Sequence, residues 1–147
     1  MVDTGVFVDY MDRKSPLHRV ARAVVESMGQ LEVLLPHVTL AEIYYVSARI
    51  LREAGIKEAF EKSVEFVKWL YSHPAVEVVS SLELDIEAAK VKLEYGIAIG
   101  DCYILALSKL KNCKAVFRKR ENEMPGRIVE DFDVIFLEDY TGGDEVV

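Results

Sequence analysis

Residues 93–117 read LEYGIAIGDCYILALSKLKNCKAVF, and this stretch decides the fold class. An apolar-periodic segment around Leu84 to Tyr95 closes at Gly96, a residue suited to the left-handed conformation that ends helices. A second helix is expected from near Asp101, carrying Ile104, Leu105, Leu107 and Leu110 at helical spacing. Lys114 to Phe117 then reads as a short buried strand. An acid that opens a helix between a glycine turn and a buried strand is the pattern of an α/β chain.

The same alternation extends in both directions. Val2 to Val8 is apolar and β-branched, so a strand is expected there. Ser15-Pro16 has the form of a helix start, with a capping serine before proline at the first helical position. Leu17, Val20, Ala21, Val24, Val25 and Met28 follow at helical spacing, and Gly29 is the expected stop. Leu31 to Val38 reads as a strand. Thr39 and Glu42 have the spacing of a capping box, which predicts a helix from there to about Ala54, with Gly55 as its cap. An amphipathic helix with Phe60, Val64, Val67, Leu70 and Tyr71 ends before Pro74. Ala75 to Val79 and Val134 to Leu137 complete the strands. Strands alternating with helices imply parallel pairing with helices on both faces. A three-layer α/β/α sandwich with a central, mainly parallel sheet is the expected architecture.

The 147 residues suit one domain, and no repeat or linker divides 1–147. Hydrophobic residues make up 51% and charged ones 29%, which excludes intrinsic disorder. No apolar run approaches the ~20 residues of a membrane span. The start has no basic segment before an apolar one, so no signal peptide is expected. Cys102 and Cys113 fit no zinc or redox spacing, and a reducing cytoplasm is the default compartment. The net charge of −7 is uneven: residues 130–147 hold seven acids and no lysine or arginine, leaving 18 basic and 18 acidic side chains in 1–129. A neutral body with an acidic end argues against coating duplexes through a broad basic face.

In parallel α/β sheets, sites gather beyond the carboxyl ends of the strands. Four acids stand at such junctions: Asp3 in the first apolar stretch, Glu42 after the second strand, Asp101 after Gly100, and Glu121 after the strand at 114–117, with Glu123 close behind. Oxygen-only ligands suit Mg²⁺ or Mn²⁺ rather than zinc. Clustered carboxylates with a hard divalent ion match phosphodiester hydrolysis, in which the ion activates water and neutralises phosphate charge. Three of these acids also have a purely structural reading. Glu42 is the capping-box glutamate, Asp101 an N-cap, and Glu121 a solvated loop charge. Asp3 is different, because an acid in a buried strand needs a partner or a metal. His18, His37 and His73 join no pattern.

Three segments together resemble the PIN-domain ribonucleases. Val2-Asp3-Thr4-Gly5-Val6-Phe7-Val8 is similar to that family's opening strand with its first acid. Thr39-Leu40-Ala41-Glu42-Ile43 resembles the second-acid motif. Residues 93–107, around Gly100-Asp101, resemble the third and are the most specific. The resemblance implies a metal-dependent ribonuclease, often the toxin of a toxin–antitoxin pair, with Asp3, Glu42 and Asp101 as its acidic triad. RNA substrate, an antitoxin protein and a homodimer are the implied partners. In the family the fourth position is a Thr-x-Asp-like turn. Here the turn reads Phe117-Arg118-Lys119-Arg120-Glu121-Asn122-Glu123, where Glu121 is the choice for that place and Glu123 the alternative close behind. Only Met1 and Val2 precede the first acid, where the family has several apolar residues.

Arg118-Lys119-Arg120 reads either as a clamp for a phosphate backbone or as a solvated loop. Tyr44, Tyr45 and Tyr103 read as bases' stacking partners or as core. Trp69, Phe60 and Phe66 read as internal packing or as a partner surface. A receiver domain needs a lysine after its last strand, and none follows Lys119. A haloacid-dehalogenase-type phosphatase needs Asp-x-Asp, and Asp3 is followed by Thr4-Gly5. The rival that remains is a non-catalytic PIN-like module that binds RNA or protein.

Overall fold

The first described segment is a helix, not the strand its β-branched residues predict. α1 spans Thr4–Met11. Val6, Phe7 and Tyr10 lie in one core at helical spacing, and α1 packs on the helices that follow. Tertiary burial of that stripe overrides the strand preference of Val6 and Val8. The structure, a computed structural model, describes the backbone of residues 4–140 and the side chains of residues 6–140. Val2 and Asp3 therefore lie outside the described residues, as does the end of the acidic segment.

α2 spans His18–Glu26, and a 3₁₀ turn over Ser27–Gln30 contains Gly29. The helix begins after the expected Ser15-Pro16 start, because Ser15 is used otherwise. Its Oγ accepts from the Leu17 amide at 3.2 Å and donates to Asp9 Oδ1 at 2.7 Å. β1 is Val33–Pro36, shorter than the expected 31–38, and α3 follows at once as His37–Glu53. Pro36 sits at φ −62 and ψ 142. Its ring fixes φ and has no N–H to offer a ladder, so the chain leaves the strand there.

α4 spans Ala59–Ser72 and β2 Val76–Val79. α5, Leu82–Tyr95, starts on Ser81, whose side chain accepts from the Leu84 amide, and stops on Gly96 at φ 69. α6 is Ile99–Lys111, β3 Ala115–Phe117, α7 Ile128–Asp131 and β4 Val134–Phe136. A 3₁₀ turn over Leu137–Tyr140 ends the described chain.

Among the described residues the strands form two parallel pairs. β1 pairs with β2, Val33 opposite Val76, and β3 with β4, Ala115 opposite Val134. Their side chains alternate between two cores. Leu34, Val79, Ala115, Phe117, Val134 and Phe136 face the core built from α5, α6 and α7. Val33, Leu35, Val76, Val78 and Val116 face the core built from α1, α2, α3 and α4. Apolar side chains on both faces are what parallel strands need when helices cover both sides. The chain is thus α/β, rich in helix, with short parallel strands. Phe66 stacks between Tyr10 and Trp69, at 6.1 and 5.8 Å between ring centres, while Trp69, Tyr71 and Phe60 stay exposed. No described helix is long and apolar enough to cross a membrane.

Candidate active site

The early start of α3 decides the reading of Glu42. Since α3 begins at His37, Thr39 is already its third residue and Glu42 its sixth. Glu42 is therefore not a capping-box glutamate. Thr39 is buried, and its hydroxyl has no hydrogen-bond partner among the described residues. Asp101 is likewise no N-cap. α6 begins at Ile99 after Ala98, and Asp101 stands in its first turn, where the helix dipole favours an anion.

α3 and α6 bring these two acids together. The Glu42 carboxylate lies over the Cα of Gly100. A Cβ added at Gly100 would sit 2.7 Å from Glu42 Oε2 and 2.9 Å from its Cδ. The sequence suggests a turn role for Gly100, but it is helical. It is glycine because a side chain from another helix fills its Cβ space.

Both carboxylates are half-buried. Among the described residues neither accepts a hydrogen bond or joins an ion pair. Burial pushes the Asp101 carboxyl up to about 6, and the charges of Glu121 and Glu123 add to the rise. Glu42 is raised too, by burial first and then by the Asp101 charge. Desolvation and like charge act in the same direction here. Such a pair attracts a cation or a proton.

Glu121 and Glu123 are exposed on the turn after β3 and reach Asp101 through their charge. Asp3, the remaining acid of the expected set, lies outside the described residues. Among the described residues no three His, Cys, Asp or Glu side chains converge closely enough to enclose a metal. Cys102 is buried and its thiol is pushed up chiefly by burial, which suits a packing role rather than a nucleophile.

Two residues of the basic run are engaged in ion pairs. Arg118 donates Nε to Asp9 Oδ2 at 2.8 Å and Nη2 to Asp9 Oδ1 at 3.0 Å. Arg120 donates to Glu138 at 3.1 Å and to Asp139 at 2.8 and 3.0 Å, and lies 4.3 Å over the Phe136 ring. Their first job is to fix the turn that carries Glu121. Asp9, only 3% exposed, is the residue that sequence reasoning missed. Its signal was an acid inside the apolar run Val6-Phe7-Val8-Asp9-Tyr10. Of the tyrosines, Tyr103 packs against the core and donates to Asp85 at 2.7 Å. Tyr44 is half-buried against Phe60, and Tyr45 is exposed.

This arrangement has relatives. The PIN domain profile matches residues 1–121. A chain described as a toxin–antitoxin complex from Klebsiella pneumoniae has a similar fold, with a TM-score of 0.62 at 14% identity, over 92% of this chain and 95% of that one. No curated protein matches the sequence. The profile match spans most of the chain and includes Asp3, Glu42, Asp101 and Glu121, and on that match the chain belongs to the PIN domain family.

Proposed function

We propose that this chain is a metal-dependent ribonuclease that hydrolyses RNA phosphodiester bonds and serves as the toxin of a toxin–antitoxin pair. The observation that carries the reading is the meeting of Glu42 and Asp101, half-buried and without a cationic partner, in a PIN domain. Asp3, Glu42, Asp101 and Glu121 would hold Mg²⁺ or Mn²⁺. The donor set fits: all are hard carboxylate oxygens, and burial raises both that meet, Glu42 with the added charge of Asp101 and Asp101 with those of Glu121 and Glu123. When bound, the ion activates water and neutralises developing phosphate charge. The chain's own part is to hold Asp101 in the first turn of α6, to seat Glu42 over Gly100, and to fix the Glu121 turn through Arg118 and Arg120.

The same proposal takes the two parallel strand pairs as parts of one central sheet in a three-layer sandwich, and the whole chain as one cytoplasmic domain. An antitoxin and a second copy of the chain are its proposed protein partners. Exposed Leu82, Ile86 and Leu93 on α5 offer them an apolar surface. The test is cleavage of single-stranded RNA with Mg²⁺ or Mn²⁺, beside EDTA and beside Asp101→Asn. The proposal expects cleavage by the wild type with metal only. Equal cleavage in EDTA overturns the mechanism. A wild type that binds RNA or a partner but never cuts makes the chain a binding module.

A further inference from the structure

We propose that the groove between α3 and the start of α4 is a binding track for single-stranded RNA, with a base stacked on Tyr45 and the neighbouring phosphates taken by Arg49 and Arg52. The inference rests on the ribonuclease reading for its ligand but stands on a different part of the surface.

The groove has a volume of about 220 Å³ and is lined by Tyr44, Tyr45, Arg49, Arg52 and Phe60, with two alanines between them. Tyr45 is 62% exposed and Phe60 60%, an unusual degree of exposure for rings that could be packed. Tyr44 meets Phe60 edge-on at 4.9 Å and 85°, which props the Phe60 ring at the groove wall. The Arg49 guanidinium lies 5.7 Å from the Tyr45 ring centre. Arg49 has only a loose pairing with Glu53 at 4.0 Å, and Arg52 enters no ion pair among the described residues. Aromatic rings interleaved with arginines suit unpaired bases and their phosphates, since every base has a π-face and every linkage a charge.

Position makes the case specific. Glu42, Tyr45, Arg49 and Arg52 are spaced three, four and three residues apart, so they share one face of α3. At the rise of an α-helix, Arg49 stands about 10 Å and Arg52 about 15 Å along the axis from Glu42. A strand with its scissile phosphate near Glu42 and Asp101 would run directly over these side chains. An apolar peptide would leave Arg52 without an ion-pair partner and Arg49 with only its loose pairing to Glu53; a nucleic acid strand supplies a phosphate for each.

The test uses the full chain with Asp101→Asn, which stops cutting, and a fluorescent 12-nucleotide pyrimidine RNA read by anisotropy in EDTA. Adding Tyr45→Ala should weaken binding about five- to hundredfold, the range expected for one stacked base. Tyr45→Phe should retain it. Two phosphate contacts predict that log affinity falls against log salt with a slope of about −1.4, and Arg52→Gln should reduce the slope by about 0.7. Tyr45 and Arg52 are at the surface, and circular dichroism confirms that each variant is folded. Unchanged RNA affinity in both Tyr45→Ala and Arg52→Gln overturns the track, as does a Tyr45→Ala defect confined to binding of a protein partner. Cleavage of the same RNA by wild type with Mn²⁺ is scored separately. If Tyr45-dependent binding persists where no cleavage occurs, the track stands and the catalytic reading falls.

Discussion

Asp9 and Arg118 stand 109 residues apart in the chain and form a two-pronged ion pair, at 2.8 and 3.0 Å, that ties α1 to the end of β3. Ser15 Oγ donates to the same carboxylate, and His18 Nδ1 lies 3.0 Å from the Asp9 carbonyl oxygen. The pair has structural consequences at both ends. It satisfies an acid that the apolar face of α1 carries into the core, and it anchors the turn three residues before Glu121.

Breaking one side of a fully buried pair costs about 3–5 kcal/mol, and this pair, buried at Asp9 and part-exposed at Arg118, sits at or below the lower end of that range. Asp9→Asn should therefore lower the melting temperature by something of order 10 °C for a chain of this size. The double change Asp9→Leu with Arg118→Met should cost less than Asp9→Asn alone, because no charge is then stranded. Thermal unfolding by circular dichroism compares the three. A double variant that melts below the single one would show that the pair is a net stabiliser rather than a mutual compensation.

Gly100 gives a second prediction. In an ordinary helix position Gly→Ala adds up to about 1 kcal/mol of stability. Here the new methyl meets the Glu42 carboxylate. Gly100→Ala should lose the metal response and the nuclease activity together, whereas Gly100→Ala added to Glu42→Ala should be more stable than Glu42→Ala alone. If Gly100→Ala cuts RNA as the wild type does, the close approach of Glu42 to Gly100 has no part in the site.

The raised Asp101 carboxyl fixes the pH behaviour. Its folded value of about 6 lies above the ordinary 3.8, so the folded state binds this proton more tightly than the unfolded chain does. Its contribution to stability, roughly 3 kcal/mol, is fully present below about pH 4 and is lost as pH rises through about 6. In EDTA the wild type should gain stability on going from pH 7 to pH 5, over and above the gain in Asp101→Asn. Metal and proton compete for this carboxylate, so activity should fall below pH 6, and more metal should move that fall to lower pH. Denaturant midpoints at the two pH values, with and without the Asn substitution, measure the difference.

The sequence was most informative where structure is local. Gly96 ends α5 as expected because its left-handed conformation is a property of that residue. The Asp101 helix follows from its own apolar spacing, and both are next to each other in the chain. It was misleading where distant contacts decide. Val6 and Val8 predict a strand, yet burial of Val6, Phe7 and Tyr10 together makes α1 a helix. Thr39 and Glu42 have capping-box spacing, yet Pro36 moves the helix start forward and leaves both inside α3. Arg118 and Arg120 look like a phosphate clamp until Asp9, Glu138 and Asp139 arrive from other elements. Gly100 cannot be read as a seat for Glu42 without α3 in view.

The central claim is that Glu42 and Asp101, with Asp3 and Glu121, form one divalent-cation site. Its most direct test is the melting temperature of wild type and Asp101→Asn at pH 7, in EDTA and in saturating Mn²⁺. Metal at about 100 times its dissociation constant should add roughly 2.7 kcal/mol to the wild type, a rise of several degrees. Asp101→Asn should melt above the wild type in EDTA, having lost a desolvated, repelled charge, and should gain little from Mn²⁺. Equal responses of the two proteins to Mn²⁺ would contradict the claim.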